Sequence, residues 1–85
     1  MGETGIIKRE IALYVLRAHG VGAIAQEDSL PDMLVLVKGD ILEARRIPEY
    51  LGRQLLHYLA RKFDIPIHHF YHPELSPFPP GELTQ

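Results

Sequence analysis

Charged residues in one apolar stretch, residues 30–45 (LPDMLVLVKGDILEAR), have the types and spacing of a metal site. Asp32 stands at the start of the first apolar run, and Glu43 and Arg45 lie two residues apart in the second. Mg²⁺ typically takes one or two carboxylates together with backbone carbonyls and waters. A cation beside such an ion could stabilise the charge that develops on a phosphate under attack. The pattern is therefore compatible with metal-assisted phosphodiester chemistry.

These side chains meet only if the hairpin that carries them has a suitable turn. Gly39 provides the backbone freedom of a tight turn between strands over 33–37 and 41–45. A two-residue loop at Lys38-Gly39 or at Gly39-Asp40 keeps Asp32 and Glu43 on one face, whereas a three-residue loop with a bulge separates them. With the first loop, the shared face consists of Asp32, Leu34, Leu36, Glu43 and Arg45. The other face, which we predict to be core, consists of Met33, Val35, Val37, Leu42 and Ala44.

Two explanations of the acidic pair remain open. Two like charges about 4 Å apart cost about 4 kcal/mol at an effective dielectric of 20, and a divalent ion would offset that repulsion. Alternatively, Asp32 ends a turn, Glu43 lies on a solvated sheet face and Arg45 pairs with either carboxylate. On the pattern alone the solvated face is favoured, because charged faces of this kind are common.

The surrounding elements predict a single small α/β domain in the order α-β-β-β-α-β, with a mixed sheet under helical cover. Apolar residues at helical spacing predict helices over 6–19 and from Pro48 to residue 63, the second with Tyr58 among its packing residues. Short strands are predicted over 21–26 and 67–71. The core domain would span 6–73, between a flexible N-terminus (1–5) and an extended Pro-rich tail (74–85).

The apolar face of the first helix is wider than a single stripe, so this helix is either deeply embedded or shared with a second subunit. We expect a homodimer built on it, since 85 residues offer little surface for a large ligand.

Composition sets limits on compartment and partners. The chain has no cysteine, and no stretch approaches the roughly 18 apolar residues of a membrane span. The absence of cysteine leaves the compartment open, but the absence of such an apolar stretch leads us to expect a cytoplasmic protein that does not enter membranes. A formal net charge of −2 provides no overall positive field, so binding to nucleic acid requires a local basic patch.

The second predicted helix contains such a patch. Arg53, His57 and Arg61 recur at every fourth position on one helical face, with Lys62 beside them and Arg46 just before the helix. These residues could bind phosphates, although a solvated helix face is the commoner explanation of such spacing.

Element order and acidic residues together resemble the restriction-endonuclease-like nucleases, the PD-(D/E)XK superfamily, and in particular its small Holliday-junction-resolvase and virus-type replication-repair branches. The residues that carry the resemblance are Pro31-Asp32 and Glu43-Ala44-Arg45, with Arg45 where the family has lysine. The resemblance extends over about residues 6–71.

The resemblance implies a metal-dependent nuclease, a hydrolase that acts on nucleic acid, with DNA favoured over RNA. Asp32 and Glu43 would bind Mg²⁺ or Mn²⁺, Arg45 would take the role of the lysine, and Glu10 and Gln54 would support them. Because arginine cannot release a proton at working pH, a non-catalytic interaction or nucleic-acid-binding domain of the same fold is the alternative.

A cluster of histidines lies near the C-terminus, in the segment HHFYHPE: His68, His69 and His72. On a strand, adjacent histidines point to opposite faces, so surface or partly buried histidines are favoured over a metal-ligand set. The segment also resembles the histidine-bearing stretch of the HicA-type messenger-RNA interferase toxins, which have a small αβββα fold. That resemblance implies RNA cleavage by His68 as a further alternative.

Overall fold

Two antiparallel sheets and three α-helices form the described part of the chain, which is residues 5–25, 30 and 32–77 of a computed structural model. The prediction of a small α/β domain is confirmed. The strands are β1 (Ile7–Lys8), β2 (Gly22–Ala25), β3 (Met33–Lys38), β4 (Ile41–Arg46) and β5 (Tyr50–Leu51). The helices are α1 (Arg9–Ala18), α2 (Arg53–Phe63) and α3 (Ile67–Tyr71), followed by a 3₁₀ turn at Pro73–Leu75.

Strands β1 and β5 pair in a two-stranded ribbon, and each of them precedes one of the two long helices. Helix α1 follows β1 directly, and a single residue, Gly52, separates β5 from α2. Arg9 strengthens this junction, because its backbone N–H donates to the Glu49 carbonyl (2.8 Å) and its Nη1 donates to the Ile47 carbonyl (3.0 Å). The helices therefore begin later than predicted, at residues 9 and 53, because the preceding residues pair with each other.

Strands β2, β3 and β4 form the larger sheet, in that order. Lys38 pairs with Ile41, so the hairpin loop is Gly39-Asp40, the second of the two loops considered above. Gly39 has φ +57°, a conformation that glycine adopts without steric cost. Lys38 then anchors the hairpin to α2, since its Nζ donates to the Phe63 carbonyl (3.0 Å) in the last helical turn, where carbonyls lack helical partners.

The face of the sheet that packs against the core is opposite to the one predicted. Leu36 is fully buried, and Leu34 and Ile41 pack against the core on the same side. On the other side, Ile24 is 57 % exposed and Leu42 is 66 % exposed. The prediction that the Leu42 face forms the core is therefore wrong. The prediction fails because the charged residues of the covered face, Glu43 and Arg45, lie at its margin, where both are only partly buried.

The segment 67–71, predicted as a strand, is helix α3. Its aromatic content favours a strand, but its apolar residues have helical spacing: Ile67, Phe70 and Tyr71 stand at i, i+3 and i+4. Phe70 is fully buried, and the other two pack against the core. The segment is therefore helical because a helix places these three apolar residues on one side, where they can be buried together.

Helix α1 uses its apolar face inside the domain, since Ala12, Val15 and Leu16 are fully buried. The wide apolar face from which we predicted a homodimer is thus largely covered by the domain itself. The predicted flexible N-terminus and Pro-rich tail fall mostly outside the described residues. Within the described residues, no helix has the length and hydropathy needed to cross a bilayer.

The sidedness of the sheet can be tested with two leucine truncations. Leu36→Ala should lower the free energy of unfolding by about 2–4 kcal/mol, because it removes a buried side chain and leaves a cavity. Leu42→Ala should change it by no more than about 0.5 kcal/mol, because most of this side chain is already in water. Denaturant titration of both variants measures the difference, and equal losses would contradict the assigned faces.

Candidate nucleic-acid interface

Asp32 is paired with an arginine at the start of the hairpin. The Arg46 Nε lies 3.3 Å from each carboxylate oxygen of Asp32, and Nη2 lies 3.1 Å from Oδ2. The hydrogen bond from Arg46 lowers the pKa of Asp32 below its ordinary value. The backbone carbonyl of Asp32 accepts from the Ile47 N–H (2.8 Å) and continues the pairing beyond the strand.

Glu43 is held by three side chains from β4 and α2. The Tyr58 hydroxyl donates to its Oε2 (2.7 Å), the Arg45 Nε donates to the same oxygen (3.1 Å), and Lys62 Nζ lies 3.5 Å from Oε1. The side chain of Glu43 is only 16 % exposed. The hydrogen bond from Tyr58 lowers the pKa of Glu43, and Arg45 and Lys62 act in the same direction.

The structure does not bring the two predicted metal ligands together. Glu43 pairs with Leu36 in the sheet, and Asp32 lies four residues before Leu36, which separates the two positions by about 13 Å along the strand. Each carboxylate already has its own arginine. Among the described residues, no group of three or more histidine, cysteine or acidic side chains could hold a metal ion. The geometry therefore does not support an ion shared by Asp32 and Glu43.

A shallow groove of about 600 Å³ instead lies along α2. We call it the α2 groove. It is lined by Arg53, Gln54, His57, Tyr58 and Arg61. Three of the five predicted nucleic-acid-binding residues, and the predicted supporting residue Gln54, therefore line one surface.

Positive charge dominates this surface. The lining includes two arginines and no acidic residue, and the whole of α2 contains no aspartate or glutamate. Glu43 lies beside Tyr58 at the edge of the groove, but its charge is already engaged by Arg45 and Lys62. The arginines of the groove therefore have no acidic partner within the described residues.

Tyr58 is the functional residue that sequence reasoning missed, because its helical spacing suggested packing alone. It is 37 % exposed, lines the groove and bonds Glu43. The guanidinium of Arg45 lies 4.2 Å from the centroid of its ring, a cation–π contact that also fixes the ring. Its position four residues after Gln54 and three before Arg61 was the available signal, since residues three and four apart share a helical face.

Two predicted site residues lie elsewhere. Glu10 is exposed in the first turn of α1 and lines a separate small pocket of about 120 Å³ with Lys8, Arg9 and other residues. Arg46 pairs with Asp32, and its strand position places it on the sheet face opposite Arg45. Neither residue is part of the α2 groove.

The predicted histidine cluster lies at the opposite end of α1. His19 Nε2 and His69 Nδ1 are 3.0 Å apart, and the Ser76 hydroxyl is 3.4 Å from the same nitrogen of His69. His68 contacts the edge of the His69 ring and is exposed, whereas His72 lies 3.8 Å from Glu74. Burial lowers the pKa of His19, followed by the charges of His69 and Lys38.

Comparison with known proteins found no matching family model, curated protein or solved structure.

The hydrogen bond between Tyr58 and Glu43 can be tested with Tyr58→Phe. We expect the free energy of unfolding to fall by about 1 kcal/mol. The pKa of Glu43 should rise towards its ordinary value. Because the pKa is lowered in the folded state, Glu43 stabilises the fold above its unfolded pKa, and this contribution disappears as the pH falls through the folded pKa. NMR titration of the Glu43 carboxyl measures the shift, with Tyr50→Phe, also on an exposed ring, as the control.

The histidine pair predicts a loss of stability in weak acid. Since the pKa of folded His19 is below its unfolded value, the unfolded chain binds the additional proton, and stability should begin to fall as the pH drops through about 6.5. His19→Gln should make the melting temperature less dependent on pH between about 7 and 5 than it is in the wild type. An unchanged dependence would exclude this pair as its source.

Proposed function

We propose that this chain is a nucleic-acid-binding domain that contacts the phosphate backbone through the α2 groove. The observation that carries the proposal is the concentration of Arg53, His57 and Arg61 along one groove that has no acidic lining residue. Such a local basic surface is what a chain with a net charge of −2 requires to bind a polyanion.

The length of the basic stripe suits a run of phosphates. Arg53 and Arg61 are eight residues apart on α2, which is about 12 Å along a helix. Successive phosphates of one DNA strand advance by about 3.4 Å along the duplex axis, so the stripe covers about three or four of them. Arginine also suits this role chemically, because its planar guanidinium binds phosphate oxygens in pairs.

Tyr58 adds a surface for bases. One side of its ring contacts the Arg45 guanidinium, and the residue lines the groove beside the arginines. Aromatic rings next to a basic groove bind single strands by stacking, which contributes about 1–3 kcal/mol per base. Single-stranded nucleic acid is therefore the ligand class that the groove suits best.

The geometry favours this binding function over the metal-dependent nuclease suggested by the sequence. Metal-assisted hydrolysis needs an ion held close to the scissile phosphate, and Asp32 and Glu43 are separated along the sheet and engaged by Arg46 and Arg45. Nucleic acid therefore remains the proposed partner, and residues of α2 provide the contacts with it.

Binding can be measured by fluorescence anisotropy with labelled single-stranded DNA, single-stranded RNA and duplex DNA. Two or three phosphate contacts predict that log Kobs falls with log salt with a slope of about −2 to −3 on duplex DNA, and somewhat less on single strands. Arg53→Gln and Arg61→Gln should each reduce the slope by about one. Tyr58→Leu should weaken binding of single strands more than binding of the duplex.

Arg17→Gln is the matched control, since it makes the same charge change at an exposed position on α1. It should leave both affinity and slope almost unchanged. Equal losses in Arg17→Gln and Arg53→Gln would show that only net charge matters, and would contradict a defined α2 site.

The same samples discriminate the alternatives when they are incubated with Mg²⁺ or Mn²⁺ and then with a chelator. Metal-dependent cleavage that disappears in Asp32→Asn and Glu43→Gln would establish the nuclease in place of a binding domain. Cleavage of RNA that survives the chelator and disappears in His68→Ala would indicate a histidine-based toxin activity.

A further inference from the structure

We propose that the face of the three-stranded sheet that carries Leu42 is the interface of a weak, two-fold symmetric homodimer. This face, which we call the open sheet face, carries Ile24, Met33, Val35, Val37, Leu42 and Ala44. Within the described part of the chain, none of these side chains belongs to the hydrophobic core or packs against it; Ile24, Leu42 and Ala44 are exposed, and the other three are partly buried. A contiguous apolar surface of this kind marks an interaction site far more often than isolated exposed residues do.

The open sheet face is separate from the α2 groove. Glu43 projects from the other face of β4 and contacts Tyr58 and Lys62, so α2 covers the side of the sheet opposite Leu42. A dimer joined through the open face would leave both grooves on its outer surfaces. The inference is therefore independent of the proposed function.

Charges at the two ends of the open face identify a second copy of this chain as the occupant. Arg46 lies at one end with a 62 % exposed side chain. Its Nε and Nη2 bond Asp32, which leaves Nη1 available to another acceptor. Asp40 lies in the exposed turn at the other end. The face thus has an exposed arginine at one end, an exposed turn with an aspartate at the other and apolar residues between them.

These charges select one symmetry axis. A two-fold axis in the interface and perpendicular to the strands reverses their direction, so that Arg46 of one protomer meets Asp40 of its partner twice. An axis parallel to the strands would instead keep their direction and place β4 over β2 of the partner, so that Arg46 would lie at the end far from the partner's turn and Asp40 would have no arginine opposite. With the first axis, the β4 strands lie over each other, Leu42 packs above Ala44 of the other protomer, and the sheets stack about 10 Å apart.

The size of the face predicts a weak dimer. Three strands about 4.8 Å apart and six residues of about 3.3 Å each measure roughly 14 by 20 Å. Two such faces with their rims bury on the order of 600–1,000 Å², which is below the roughly 1,200–2,000 Å² of stable interfaces. We expect dissociation in the micromolar range or above.

Sedimentation velocity over a concentration series tests the dimer. Wild type should shift from monomer to dimer as its concentration rises. Leu42→Glu should remain monomeric at every concentration, while its melting temperature at low concentration should match that of the wild type, because Leu42 is 66 % exposed in the monomer. Ile6→Glu is the matched control, since Ile6 is 68 % exposed just before α1, and this variant should still dimerise.

A charge exchange tests the orientation. Asp40→Arg should weaken association at least tenfold, and so should Arg46→Glu, because each places like charges together. The double variant should recover most of the lost affinity. Failure of the double variant to recover would overturn the proposed axis.

Cross-linking provides a second measurement, because the natural chain has no cysteine. Ala44→Cys places the only thiol close to the axis, and a short bis-maleimide reagent should cross-link this variant into a dimer faster than it cross-links Ile11→Cys on the exposed side of α1. A chain that stays monomeric at all concentrations, or that cross-links equally at both positions, would overturn the proposal.

Discussion

The structure depends on which face of the β3–β4 hairpin is covered by helices. Leu36 at the centre of that face is fully buried, and Lys38 bonds the last turn of α2 from the same face. Because side chains alternate along a strand, this single choice places Glu43 and Arg45 against α2 and leaves Leu42 in solvent. A shift of the register by one residue would reverse all of these positions.

Parts of the fold could be predicted because the local signals agree with the final packing. Gly39 permits the tight turn, so its position in the sequence indicates where the hairpin lies. The helical spacing of apolar residues in α1 and α2 matches the faces that these helices bury. Helix α3 has a helical period as well, but its aromatic residues suggested a strand, and only the burial of Phe70 decides between them. The β1–β5 ribbon joins positions more than forty residues apart, and no local pattern indicates such a pairing.

Local sequence patterns could not predict which face of the sheet is buried, for a different reason. Over residues 33–37 and 41–45, one hairpin face has charges and the other is apolar, so a rule based on polarity buries the apolar face. Here the charged face is covered, and Glu43 is accommodated because Tyr58, Arg45 and Lys62 satisfy its oxygens. A partly buried carboxylate is tolerated when hydrogen bonds and opposite charges replace its solvent. The arginine that resembles a catalytic residue in the sequence therefore has a structural role in the fold.

The burial of the charged sheet face also separates the two surfaces for which we propose partners. Charged residues collect on the α2 side, where the groove is basic, and apolar residues collect on the open sheet face, where a second copy can pack. Stacking two sheets through that face would turn the two α2 grooves outward and away from each other. A single short strand could then occupy only one groove at a time, whereas a longer strand or two separate strands could occupy both. If the grooves bind, dimerisation would raise apparent affinity only for ligands long enough to span the pair, because the second contact becomes intramolecular only when the chain can reach it.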